Sequence, residues 1–312
     1  MIFLKKCVCS LKIFVLIAFL MPALFTPDMK AENVPDWENL DIIGRNKEPA
    51  HSFFIPYADR KTAFTNDPMK SPFYKSLNGT WKFNWVRKPA DRPVDFFKDD
   101  YDTTNWQDID VPGNWEIQGF GVPIYTDTAY PFPANPPHIP HDYNPVGSYK
   151  RSFTVPGNWQ GRRVFLHFGG VKSAMYLWIN GKEAGYSQGS KTPAEFDITR
   201  HLRRGENSLS VKVYRWSDGA YLEGQDYWKI SGIERDVFLF STADVYVRDF
   251  FAVSDLDRNY RDGRFNLDVQ VKNALPKKTG KHTLCAAVFA PGETAAPILE
   301  LTGDVKLKKG ET

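Results

Sequence analysis

Short runs of β-branched and aromatic residues, each closed by turn-forming residues, dominate this chain from Trp37 onward. Trp81 to Trp85 (WKFNW), Val164 to Phe168 (VFLHF), Met175 to Ile179 (MYLWI), Leu209 to Tyr214 (LSVKVY) and Val237 to Phe240 (VFLF) have strand composition and strand length. Helical amphipathic spacing is nearly absent. The pattern predicts an all-β sandwich. Asn180-Gly181 falls between MYLWI and KEAGY, where a two-residue type I′ turn needs two positive φ values, which Asn and Gly tolerate best. A hairpin is predicted there.

Two segments break this pattern. Val111 to Pro145 is rich in proline, which removes backbone donors and fixes φ, so it predicts a surface loop rather than a central strand. Its aromatics Trp115, Phe120, Tyr125, Tyr130 and Phe132 predict that the loop is ordered and packed. Arg215 to Val237 (RWSDGAYLEGQDYWKISGIERDV) has neither helical nor strand periodicity and is dense in carboxylates, tryptophan and tyrosine. Carboxylates accept hydrogen bonds from hydroxyl groups, and aromatic faces cover apolar C–H faces, a combination suited to a polyol. His138 and His141 form an H-x-x-H, but Pro136, Pro137 and Pro140 keep them off a helix, so no metal site is expected. Asn78-Gly79-Thr80 matches a glycosylation acceptor.

The N-terminus reads differently. Lys5, Lys6 and Lys12 precede the apolar run Ile13 to Phe25, which Pro22 interrupts, and small residues follow near Ala31. This is the layout of a secretory signal over residues 1–31, too short for a stable membrane span, and it predicts export to the periplasm or beyond in a bacterium. The net charge of +3 belongs largely to that segment, where Lys5, Lys6, Lys12 and Lys30 face only Asp28. The remainder is close to neutral, and no nucleic-acid partner is expected. Cys7 and Cys9 lie in the signal, which leaves Cys285, in LCAAVF, as a predicted buried small hydrophobe. From Ala243, DVYVRDFFAVS, RFNLDVQVKNA, HTLCAAVFA and ILELTGDVKLKK give four further strands. An immunoglobulin-like sandwich needs about seven strands and ~100 residues, so the region 243–312 is expected to be an incomplete domain of that kind.

Taken in order, RNKEPAHSFFIPY, SLNGTWKFNW, VPGNWEIQGFGVPIYTDTAYPF, NPPHIP, NPVGSYKRSF, GVKSAMYLWINGKEAGYSQGSKTPAEFDIT and LRRGENSLSVKVYRWSDGAYLEGQDYWKISGIERDVFL resemble segments of glycoside hydrolase family 2, in its β-galactosidase branch. The resemblance implies a jelly-roll sugar-binding domain over 32–242, with an N-terminal extension, and a truncated immunoglobulin-like domain over 243–312. In the family a catalytic (β/α)₈ barrel follows, and this sequence has none of it. The implied function is that of the N-terminal portion of an exported, homo-oligomeric β-galactosidase acting on terminal non-reducing β-D-galactose. Magnesium is implied at the barrel and sodium near Asp226. Asp226 aligns with the family aspartate that meets the galactose 6-hydroxyl and ligates that sodium. Asp127 stands where the family motif IYTNxxYPF has an asparagine that contacts the sugar, and an ionised acid there accepts but does not donate.

No catalytic residue is expected in this chain, because the family's acid/base lies in an Asn-Glu dipeptide of the barrel and Trp115-Glu116 belongs to an N-terminal segment with Glu in place of Gln. The chain alone is therefore expected to be inactive. Asp218, Glu223, Gly232 and Arg235 read as structural, the glycine in a close turn and the arginine paired with a carboxylate. Other readings are a stand-alone carbohydrate-binding module, or β-glucuronidase or β-mannosidase activity within the same family. GYSQGSKTPAEFDIT and LEGQDYW side with the galactosidase branch.

Overall fold

The computed structural model describes residues 34–310. The signal expected over residues 1–31, with Cys7 and Cys9, lies outside the described residues. Among the described residues no helix is long and apolar enough to cross a membrane. The chain is all-β, and every run singled out above is a strand. The larger sheet has seven antiparallel strands in the spatial order Gly44–Arg45, Lys182–Gln188, Ala174–Ile179, Glu206–Tyr214, Val146–Thr154, Gly79–Val86, Gln107–Val111. The smaller has four, in the order Ala194–Asp197, Arg163–Phe168, Val237–Thr242, Tyr74–Ser76. Asn180 and Gly181, at φ 52° and 75°, make the expected two-residue hairpin turn.

Alternation along Glu206–Tyr214 sends Leu209, Val211 and Val213 into the space between the sheets, where Phe83, Tyr149, Leu166 and Leu239 are also buried. Packing there is tight enough to fix a glycine: a Cβ on Gly147 would stand 2.5 Å from the Trp115 ring and 2.7 Å from Phe83. The other face of the larger sheet is buried too, under a second core that includes Trp37, Phe96, Ile139, Tyr176, Trp178 and Tyr214. Lys212 points into it. Its ammonium lies 4.4 Å from the Tyr176 ring centroid, 5.1 Å from Trp178 and 5.6 Å from Tyr214. Burial lowers its pKa to about 8, and the ring faces replace part of the lost hydration.

A clasp closes the outer face of the smaller sheet. Phe165, Phe238 and Phe240 there are covered by Ile55, from the segment that follows Lys47, and by Tyr246. Lys47 bridges to Phe196, and Glu48 pairs with Arg248 at 3.5 Å and Lys272 at 3.1 Å. The Ser52 amide donates to Asp249 Oδ1 (2.8 Å) and its hydroxyl to the Phe250 carbonyl (2.6 Å). His51 Nε2 meets Glu195 Oε1 at 3.0 Å, while His167 Nδ1 meets Glu195 Oε2 at 3.1 Å. One carboxylate therefore ties the arm to the sheet.

Beyond the sandwich, Val245–Leu256 pairs with Gly263–Asn273 and His282–Val288 with Leu299–Val305, giving the four strands expected. Phe289 stands edge-on to Phe64 at 4.9 Å, under the Arg60 guanidinium. The expectation of a buried Cys285 is not met. Leu284, Ala286 and Val288 take the partly shielded face of their strand, which leaves Cys285 exposed on the other with Thr283 and Ala287.

Burial by itself raises the Glu195 pKa, but the hydrogen bonds from His167 and His51 overcome it and bring the value down to about 2. The same bond to Glu195 raises His51, against burial and the Arg248 charge. The carboxylate's stabilisation is present above its ordinary value near 4.5 and is lost as pH falls toward 2. The imidazolium's is present below its ordinary value of 6.5 and is lost as pH rises through the raised one. The stability difference between the wild type and Glu195→Gln, from urea unfolding, is accordingly expected to be greatest between about pH 4.5 and 6.5. A difference independent of pH would show that ionisation plays no part in the clasp.

Candidate functional site

The two irregular segments fold onto one another around a buried ion pair. Arg215 Nη2 lies 3.5 Å from Glu116 Oε1, and both side chains are closed off from solvent. The same nitrogen donates to the Val122 carbonyl (2.9 Å) and the Lys229 carbonyl (3.0 Å), so one guanidinium group reaches both segments. Glu116 Oε2 accepts the Ser231 amide at 2.8 Å. Burial raises the Glu116 pKa, opposed by that amide and by Arg215. Asn144 closes the other side, its Oδ1 accepting the Trp216 amide (2.9 Å) and its Nδ2 donating to the Trp216 carbonyl (3.1 Å).

Gly232 behaves as expected. At φ 123°, a Cβ would meet the Gly113 carbonyl at 2.8 Å, where Gly232–Ile233 pairs with Gly113–Asn114. Glu223 is structural as well, accepting the Ser190 amide and hydroxyl at 2.9 and 2.5 Å, and Asp218 accepts the Gly219 amide of its own turn. Arg235 departs from expectation: no carboxylate lies within ion-pair distance among the described residues, and its aliphatic stem instead packs where Cβ atoms on Gly169 and Gly170 would stand. The Asn78 amide is spent on Asp236 Oδ1 (2.8 Å), with its Oδ1 on the Val237 amide (2.9 Å). His141 reaches Glu38 Oε1 at 2.9 Å, and the backbone carbonyl of His138 accepts from Tyr221.

Above this base, Ile124–Tyr125 pairs with Trp228–Lys229 in a two-residue ladder. It brings the Asp226 loop against the Asp127 turn. The Tyr125 hydroxyl donates to Asp226 Oδ1, and the Tyr125 and Trp228 rings, each more than half exposed, lie 5.5 Å apart. The hydrogen bond to Asp226 and then its charge raise the Tyr125 pKa, with a smaller contribution from Asp127. Asp127 is exposed and bonds to no described residue. Asp226 Oδ2 is uncommitted, so it can accept from a hydroxyl or give one oxygen to a hard cation. No three acids, histidines or cysteines among the described residues gather to hold a metal.

Sequence reasoning missed two parts of this arrangement. Tyr125 was read only as a packed aromatic, although its place two residues before Asp127 puts it on the strand that reaches Asp226. Lys172, Lys191 and Lys229 surround the Tyr227 ring at 4.8, 5.4 and 4.5 Å, and burial lowers Lys172 to about 8. Their separation along the chain leaves no local signal.

A family model described as glycosyl hydrolases family 2, sugar binding domain, matches residues 74–243. The chain belongs to glycosyl hydrolase family 2. Among relatives of this family, a β-galactosidase of Priestia megaterium is 44% identical over 254 residues, covering 80% of this chain and 25% of the relative. A β-galactosidase of Psychromonas ingrahamii is 41% identical over 256 residues, covering 82% and 24%. The chain thus spans about a quarter of the length of the curated relatives it matches. A solved β-glucuronidase of Bacteroides uniformis superposes with a TM-score of 0.61 at 22% identity, over 76% of this chain and 26% of that one, a likeness of fold.

In this family 2 chain the buried pair carries a measurable load. Removing one partner of a buried ion pair costs about 3–5 kcal/mol, so Arg215→Met is expected to lower the urea-unfolding free energy by that amount. Limited proteolysis of the variant should begin within residues 111–145 or 215–237. A loss below about 1 kcal/mol would show that the loops are fastened elsewhere.

Proposed function

We propose that this chain is the sugar-binding portion of a β-galactosidase that hydrolyses terminal non-reducing β-D-galactosyl groups, with Asp226 and Asp127 at the edge of the galactose subsite. The observation that carries the reading is the Asp226 carboxylate, held at one oxygen by Tyr125 and free at the other, beside the exposed Tyr125 and Trp228 rings. A galactose hydroxyl can donate to Oδ2 while a ring covers a C–H face of the sugar. Asp127 adds a second acceptor, so the hydroxyl it meets must supply the proton. The relatives' activity supports galactose over the family's other sugars.

Further parts of the proposal rest on the family resemblance. Sodium fits at Asp226 Oδ2, where it would hold a sugar hydroxyl by its charge. Magnesium belongs to the catalytic barrel, and no residue of this chain is assigned to it. Residues 32–242 form the jelly-roll domain and 243–312 part of an immunoglobulin-like one. The protein is exported by the signal in residues 1–31, and the complete enzyme is a homo-oligomer.

Two measurements test the reading. This chain is expected to show no turnover of an activated aryl galactoside, since the acid/base and nucleophile lie in the barrel. In the complete enzyme, Asp226→Ala is expected to lower kcat/KM at least about tenfold, because a hydrogen bond to a charged group is worth ~1.5–3 kcal/mol. Sodium dependence should fall with it. Tight, Asp226-dependent galactose binding by this chain alone would instead make it a self-contained carbohydrate-binding module.

A further inference from the structure

A cleft of about 560 Å³ opens between the arm Ile43–Phe53 and the turn Gln188–Glu195. It shares no residue with the segments that carry Asp127 and Asp226, and its size is that of a small-molecule site. Its floor is the His51–Glu195–His167 cluster of the clasp. Its rim carries Phe53, 61% exposed, whose ring leans on His167 and Phe238 at 5.6 and 6.1 Å. A phenyl ring held from behind and open in front is well placed to cover an apolar face.

Three polar groups around it keep hydrogen-bonding capacity. The Asn46 side chain bonds to no described residue, and its backbone sits in the left-handed region at φ 53°. Lys47 makes one long bond, 3.4 Å to the Gln188 carbonyl, which leaves other ammonium protons available. Each Glu195 oxygen is engaged by one histidine and keeps a second lone pair. Lys47 and His51 line the cleft together with Glu48 and Glu195, so the lining carries groups of both signs. That balance disfavours an anionic ligand and suits a neutral molecule that presents hydroxyls on its edge and C–H groups on its face.

We propose that this cleft is a carbohydrate-binding site that takes a neutral sugar ring, stacked on Phe53 with its hydroxyls on Asn46, Lys47 and Glu195. It goes beyond the galactose subsite proposed above and does not rest on it.

Isothermal titration and saturation-transfer NMR of this chain with lactose, and separately with cellobiose, test the site. Saturable binding of at least one disaccharide is expected, with Kd on the order of 1 mM, as befits an open cleft. Phe53→Ala, at an exposed position, should weaken it at least tenfold with an unchanged circular dichroism spectrum. Asn46→Gly keeps the left-handed backbone and removes the amide, and should weaken it several-fold. Asp226→Ala should leave it unchanged. Absence of a saturable signal at about 50 mM, far above the expected Kd, would overturn the proposal. So would binding that survives Phe53→Ala in full, or that disappears with Asp226→Ala.

Discussion

The Glu116–Arg215 contact is the constraint on which the candidate site depends. Neither loop has a β-ladder longer than two residues to hold it, and Pro-rich backbone cannot supply one. Arg215 substitutes for the missing ladder by donating to carbonyls at Val122 and Lys229, on opposite segments. A guanidinium buried this deeply needs a counter-charge, and Glu116 supplies it while also holding the Ser231 amide. The family resemblance implies a glutamine at position 116. A glutamine could hold Ser231 but not neutralise Arg215, so the acid supplies a charge that a glutamine would not.

A second fastening joins the sandwich to the strands that follow it. Glu48, Ser52 and Phe54 each reach the strand Val245–Leu256, while His51 reaches Glu195 on the smaller sheet. The arm thus lies between the two like a gasket, apolar toward Phe165 and Phe240 and ionic at its edges.

Much of this was legible in the sequence because strand periodicity is local. Alternation in LSVKVY and the Asn-Gly turn need only neighbours along the chain, and both appear in the structure where expected. Long-range pairs were not legible. His51 and Glu195 are 144 positions apart, and Tyr125 and Asp226 are 101 apart, so no window of sequence joins them. Cys285 is exposed because its strand shields only one face, a distinction that an apolar run along the sequence does not carry. An arginine beside acids suggested an ion pair at Arg235, but its use here is the packing of its stem over two glycines.

The two loops are fastened by buried groups at their bases and by contacts of Tyr130 and Phe132 with Tyr221 along their length, and are held lightly around Asp127 and Asp226. Arg215, Glu116 and Asn144 lock the stems, whereas the Tyr125–Asp226 hydrogen bond and a two-residue ladder hold the ends. Changes at positions such as 127 therefore leave the fold's free energy almost untouched, since they remove no buried group. Such an arrangement separates evolvability from foldability. Under the proposed reading, the residues assigned to the sugar, Asp127 among them, can vary one at a time while the sandwich beneath them stays the same.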